Sequence, residues 1–231
     1  MKRSSIAALL TSVFAGVLPI HMATAAPRPI VVELFTSQGC SSCPPADALL
    51  NELAQRPDVV ALGFHVDYWD YLGWKDPLSA PGSTARQHDY ARLLNQPTVY
   101  TPEMVIDGHL QLVGSDRTAV LAAIDRSTLD DAAAVSFAAS QQSVTIGAGP
   151  GSGKVLLIRF QRHRDTSVAN GENAGTQARD ANGVTVLTAL GDWQGQELHF
   201  PIDPPKADEG VAVLVQAEDG HMMGAALAEQ P

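Results

Sequence analysis

Cys40 and Cys43 are the only cysteines in this 231-residue chain, and both stand in the run Gln38-Gly39-Cys40-Ser41-Ser42-Cys43-Pro44-Pro45. Two thiols separated by two residues can close into a disulfide and reopen, transferring two electrons to or from another thiol pair. A bridge over so short a loop removes little entropy from the unfolded chain, so this spacing is a weak way to staple a fold. Redox exchange is the chemistry it serves best. A soft metal site for copper(I) or zinc is the alternative that a cysteine pair with a histidine would allow. The available nitrogens, His65, His88 and His109, do not stand at ligand-like spacing from one another. No metal ligand set and no cofactor is therefore assigned.

The elements around the pair have to present it. Ile30 to Phe35 is an apolar run broken by Glu33, the pattern of a strand buried on both faces. After the cysteines, Ala46, Leu49, Leu50, Leu53 and Ala54 recur at helical spacing, and Pro44 and Pro45 suit a first helical turn that has no use for their missing N–H groups. The amino end of a helix favours negative charge, so a cysteine there is a better thiolate than a free one. Cys40 is placed at that edge as the attacking thiol and Cys43 inside the first turn as the resolving thiol, working through a mixed disulfide. The direction of exchange depends on potentials that known proteins spread over roughly 150 mV.

Further along, Val59 to Val66 reads as a second strand, and Ser83 or Thr84 as the cap of a helix that stops before Pro97. Glu103 to Ile106, Asp107-Gly108 and Leu110 to Val113 form a hairpin pattern, and Ser115 caps a last helix. The order is β-α-β-α-β-β-α, a mixed sheet with helices on both faces. Beyond Asp131 the texture becomes seven short alternating runs, which predicts a β-sandwich, with the polar stretch Arg164 to Asn182 as a long loop. The expected organisation is thus a signal peptide over residues 1–26, an α/β domain over 27–130 and an all-β, sandwich-like domain over 131–231.

The signal peptide rests on basic Lys2 and Arg3, apolar Ile6 to Ile20 and the small residues Ala23-Thr24-Ala25-Ala26. It predicts a periplasmic or secreted protein. The apolar stretch is too short for comfortable membrane insertion. The formal charge of −10 becomes −12 once Lys2 and Arg3 are removed, a balance that opposes nucleic acid as a partner.

The strand–Cys40-Ser41-Ser42-Cys43–helix unit, together with Thr101-Pro102 before the hairpin, resembles a thioredoxin-like domain. The resemblance implies that Pro102 is cis and lies against the cysteines, that Thr101, Ser41 and Ser42 help to hold substrate, and that Glu33 is the acid exchanging a proton with the inner thiol. The run His65-Val66-Asp67-Tyr68-Trp69-Asp70-Tyr71-Leu72-Gly73-Trp74-Lys75-Asp76 follows the second strand, where such sheets place their sites, and makes His65, Asp67 and Trp69 candidates for one wall. Phe35 to Pro45, His65 to Asp76, Tyr100 to Gly108 and Gly171-Glu172-Asn173-Ala174-Gly175 together resemble a family of secreted bacterial thioredoxin-like proteins known chiefly as a domain of unknown function. The similarity runs from about Ile30 to Ala228. Where that family continues with a basic, histidine-containing stretch, this chain has Arg179-Asp180-Ala181-Asn182-Gly183. The resemblance implies a thiol–disulfide oxidoreductase acting on protein or small-molecule thiols and disulfides with an unidentified redox partner. A partner-binding module with an idle cysteine pair is the other alternative.

Overall fold

The computed structural model describes residues 28–127 and 132–229. The expected signal peptide and the expected boundary at residues 130 and 131 lie outside the described residues. The first half follows the order β1 (Ile30–Thr36), α1 (Pro44–Leu53), β2 (Val59–His65), a short 3-10 turn, α2 (Pro81–Leu93), β3 (Glu103–Ile106), β4 (Leu110–Val113) and α3 (Arg117–Arg126). β1 runs parallel to β2 and antiparallel to β3, which pairs with β4 around Asp107 and Gly108. Two helix starts differ from the sequence expectation. α2 begins at Pro81, ahead of Ser83 and Thr84, and α3 is capped by Asp116, whose carboxylate accepts the Ala119 N–H at 3.0 Å.

The second half contributes β5 (Val135–Phe137), β6 (Ser143–Ile146), β7 (Gly153–Ser167), β8 (Gln177–Trp193), β9 (Leu198–Pro201), β10 (Glu209–Gln216) and β11 (Met222–Leu227). Four of these seven strands extend the sheet of the first half, giving one mixed sheet in the order β11-β10-β7-β8-β2-β1-β3-β4, while β5, β6 and β9 form a second, three-stranded sheet. The chain is therefore mixed α/β with one large sheet and one small one. The junction is the parallel contact of β2 with β8 at Gly63 and Gly183. Glycine matters here, because a Cβ on Gly183 would stand 2.8 Å from Leu78 Cδ1 and one on Gly63 3.4 Å from the Ala181 carbonyl oxygen.

The expected loop from Arg164 to Asn182 is instead the outer end of a long hairpin. β7 and β8 carry 15 and 17 residues, and only residues 168–176 lie between them. Polar residues fill this ladder: Arg164 faces Asp180 and Asp165 faces Arg179 across the strands. Opposite charges in register stabilise a two-stranded ribbon without apolar alternation, which is why hydropathy alone read it as loop.

The large sheet rolls on itself, since β11 touches β1 and β2 although it lies at the far edge. Register shifts in β7–β8 at Val155/Leu156 and Arg159/Phe160 help it to coil. Val31, Phe35, Leu62 and Phe64 of the first half thereby share one core with Ile158, Phe160 and Leu214 of the second. On the other face of β1 and β2, Val32, Leu34 and Ala61 pack against Leu49, Leu50 and Leu53 of α1 and Ile124 of α3. The small sheet closes a third core with Val144 and Ile146 over Val155, Val213 and Trp193.

Candidate functional site

Cys40 and Cys43 are joined in a disulfide in the turn between β1 and α1. The Cys40 N–H donates to the Ser37 carbonyl at 3.1 Å and the Cys43 N–H to the Cys40 carbonyl at 3.2 Å, so the turn is tightly wound before the helix starts. Cys43 is itself the N-cap, not a residue of the first turn, because the two prolines take the opening helical positions. Those prolines have no N–H to offer, and the next two donors, Ala46 and Asp47, already bond the Cys43 carbonyl at 2.8 and 3.1 Å. The helix end thus leaves few free donors for a thiolate. The polar group placed on Cys40 is the Ser42 hydroxyl, 3.3 Å from its Sγ.

Ser42 also reaches the Thr101 carbonyl at 3.4 Å, and the Thr101–Pro102 peptide is cis. The Trp69 indole N–H donates to Thr101 Oγ1 at 2.8 Å, so Trp69, Thr101, Ser41 and Ser42 gather around the disulfide. Asp67 is engaged elsewhere, accepting the Thr84 hydroxyl of α2 at 2.6 Å. His65 lies buried beneath the turn, bonded through Nδ1 to Asp76 at 2.7 Å and with Nε2 3.9 Å from Asp180. Asp76 also accepts the Gln38 N–H at 2.8 Å, and Gln38 Nε2 donates to Asp180 at 2.7 Å, tying this cluster directly to the cysteine turn.

Asp47 completes the cluster, and sequence reading missed it. It stands one helical turn after Cys43, the spacing that brings two side chains onto one helix face. Its carboxylate accepts the Thr36 hydroxyl at 2.7 Å. Asp47 keeps some contact with solvent, yet the protein around it desolvates the carboxylate and lifts its pKa to about 7, with Asp180 and Asp76 adding to the rise against the pull of Thr36 and His65. Burial alone would drive His65 down, but Asp76, Asp180 and Asp47 outweigh it and hold its pKa at about 9. Asp76 goes the other way: burial raises it, but the His65 charge and the bonds from His65, Gln38 and Leu78 leave it below its ordinary value. An i+4 acid after the second cysteine was the available signal.

Glu33 is fully buried, on the face of β1 turned away from α1, as the alternation with Val32 and Leu34 requires. Arg86 of α2 grips it with Nε and Nη2 at 2.7 and 2.9 Å, and Tyr90 donates to the same carboxylate. Beside this group a cleft of about 680 Å³ opens between α2 and the strands β7, β8 and β10, lined by Arg86, Tyr90, Leu156 and Gln216 and by none of the cysteine-site residues. His88 and His109 are exposed, on α2 and in the β3–β4 turn, and the structure does not bring them to His65. Among the described residues, no group of three or more His, Cys, Asp and Glu is arranged to hold a metal ion.

The second half of the chain reaches this site through the β7–β8 tip. Asn173 Nδ2 donates to the carbonyls of Gln38 and Cys40, both at 2.9 Å, and Glu172 Oε2 accepts the Ser41 N–H at 3.1 Å. Neither Cys40 nor Cys43 has accessible surface under this cover.

The span that holds both the cysteine turn and this tip, residues 31–216, matches the model of a family described as a protein of unknown function, DUF1223. The chain belongs to the DUF1223 family. A crystal structure of protein AGR_C_4864 from Agrobacterium tumefaciens is 32% identical to this DUF1223 chain, with 90% of this chain and 98% of that one covered and a TM-score of 0.74. HBP35 of Porphyromonas gingivalis is 14% identical over 87% of this chain and 75% of its own, and its TM-score of 0.54 is a likeness of fold alone. No curated protein matches this DUF1223 member. No helix among its described residues is long and apolar enough to cross a membrane.

Proposed function

We propose that this protein is an exported thiol–disulfide oxidoreductase built on a thioredoxin-like arrangement, acting in the periplasm or outside the cell. The observation that carries the reading is the Cys40–Cys43 disulfide at a strand–helix junction, faced by Thr101 and backed by Asp47 one helical turn from Cys43. In the oxidising direction a substrate thiolate attacks Cys40 Sγ. The Cys40–Cys43 bond breaks, and the electron pair leaves on Cys43 sulfur, which takes the Asp47 proton. The second substrate thiolate then attacks its partner sulfur in the mixed disulfide and releases Cys40 as a thiolate, which is protonated from solvent. Asp47 then recovers its proton from solvent, so the substrate loses two electrons and two protons and the protein gains both pairs. The reverse sequence reduces a substrate disulfide.

An Asp47 pKa of about 7 suits this task, because both its acid and its base form are populated near neutrality. Asp47 replaces Glu33 in the proton-carrying role, since Glu33 is committed to Arg86 on the other side of the sheet. Ser42 supplies the hydroxyl nearest the attacking sulfur, and Thr101 and Trp69 form the wall against which substrate lies. Because both cysteines are enclosed, reaction requires the cover formed by Ser42 and the hairpin tip to open.

Insulin reduction and scrambled-substrate isomerisation by wild type and Cys40→Ser test the proposal. Cys40→Ser is expected to lose the activity, and Cys43→Ala is expected to accumulate a mixed disulfide that retains the partner. Equal activity in wild type and Cys40→Ser would remove the enzyme from consideration.

A further inference from the structure

Ser41 lies between the two cysteines, and the group on its backbone N–H is the carboxylate of Glu172, brought there from the far half of the sequence. The tip that carries Glu172 is firmly held. Asn173 bonds two carbonyls of the cysteine turn, the Thr176 hydroxyl donates back to the Asn173 carbonyl at 2.7 Å, and the Gly175 N–H closes onto the Val168 carbonyl at 2.8 Å. Gly171, at φ +78°, lies so close to Trp74 that a Cβ there would stand 3.2 Å from the Trp74 Cβ, so the tip is pinned on this side too. Glu172 is exposed, and its pKa is lowered chiefly by the hydrogen bonds from Ser41, with no cation contributing. In the covered state this negative charge has no positive partner among the described residues and stands one residue from Cys40, so it acts on molecules that approach the site.

We propose that Glu172 makes the redox site selective for thiols and disulfides that carry positive charge next to the reacting sulfur, such as cationic small thiols and cysteines flanked by lysine or arginine. The inference rests on the thiol–disulfide reading given above. The substrate thiolate forms its bond to Cys40 Sγ while Cys43 sulfur departs, and Glu172 takes no part in the bond changes. It attracts the neighbouring cation during approach, and it repels a neighbouring anion by the same field.

The experiment uses the full-length, oxidised protein and two thiols of opposite charge, cysteamine and 2-mercaptoethanesulfonate, with second-order rates of disulfide reduction followed at low ionic strength. The ratio of the cysteamine rate to the sulfonate rate cancels the intrinsic reactivity of each thiol when variants are compared. Glu172→Gln is expected to lower the ratio about threefold and Glu172→Lys about tenfold, the size of one and two unit charges acting on a cation and an anion over about 12 Å in a water-like dielectric. Both effects should collapse at about 0.5 M salt, where the screening length falls below 5 Å. Glu218→Gln makes the same charge change in the β10–β11 turn, and its ratio is expected to match wild type. An unchanged ratio in both Glu172 variants, with wild type still reacting, overturns the selectivity. An equal shift in Glu218→Gln also overturns it, by assigning the effect to the overall acidity of the chain. Wild type inert toward both thiols overturns the redox reading itself and this inference with it.

Discussion

At the level of single residues, two acids close to the cysteines in sequence are sent to opposite sides of β1. Asp47 shares a helix face with Cys43, whereas Glu33 is locked to Arg86 and Tyr90 behind β1. Asp47→Asn is expected to slow disulfide exchange and to remove an inflection near pH 7 from its pH–rate profile, because the departing Cys43 thiolate loses its proton source. Glu33→Gln is expected to keep that profile and to cost roughly 3–5 kcal/mol of stability, since it leaves Arg86 buried without its counter-charge. Exchange kinetics and denaturant melts on the two variants separate the roles. His65 makes a second prediction. Its folded pKa is raised from 6.5 to about 9, so its contribution is complete below pH 6.5 and is lost as pH rises toward 9. That contribution is up to about 3 kcal/mol. Melting temperatures should therefore fall between pH 6.5 and 9, and Asp76→Asn, which removes the nearest carboxylate, should flatten that fall.

At the scale of elements, the β7–β8 hairpin decides how accessible the disulfide is. It pairs its charged residues across the ladder, extends well past the body of the sheet and sets Asn173 on the carbonyls of Gln38 and Cys40. Asn173→Ala deletes both bonds, each contributing about 1 kcal/mol, so opening of the tip should become roughly tenfold easier or more. Reduction of the protein disulfide by dithiothreitol is expected to accelerate by a similar factor, with the melting temperature lowered by at most about 4–8 °C. An unaltered rate would show that the tip does not limit access. The prolines at the start of α1 are the complementary device. They fix where the helix begins, make Cys43 the cap and withhold backbone donors from the sulfurs, which leaves Ser42 as the polar neighbour of Cys40.

At the scale of the whole molecule, the two halves share a sheet and a core. Phe35, Leu62 and Phe64 are buried by Ile158, Phe160 and Leu214, and the β2–β8 contact joins the halves through backbone. A fragment ending at Ser127 would expose this face of β1 and β2 to water, losing on the order of 1.5–3 kcal/mol for each large apolar side chain uncovered. Such a fragment is expected to lack a cooperative melt and dispersed amide resonances, and the full chain to unfold in one transition. A fragment that melts cooperatively would mark residues 27–130 as an independent unit.

The order of elements in the first half was legible in the sequence because local rules govern it. Period-3.6 apolar spacing marked α1, Asp107-Gly108 marked the β3–β4 turn, and the position of Cys40 and Cys43 between a strand and a helix followed from those neighbours. The spacing of the pair was legible for the same reason, and the redox role proposed for it rests on that spacing. Long-range placement was not legible. Arg164 to Asn182 is polar in sequence, and its strand portions form because their backbones pair in register, with Arg164 opposite Asp180 and Asp165 opposite Arg179. Glu33 and Asp47 are both acids near the cysteines along the chain, and only the side of β1 that faces α1 separates them. Glu172 is 132 positions from Cys40 and reaches Ser41 only because β8 joins β2. Local order along the chain brings the two sulfurs together at a strand–helix turn. Which charges surround them follows from the folded chain, because electrostatic fields depend on distance through space and sequence records distance only along the chain.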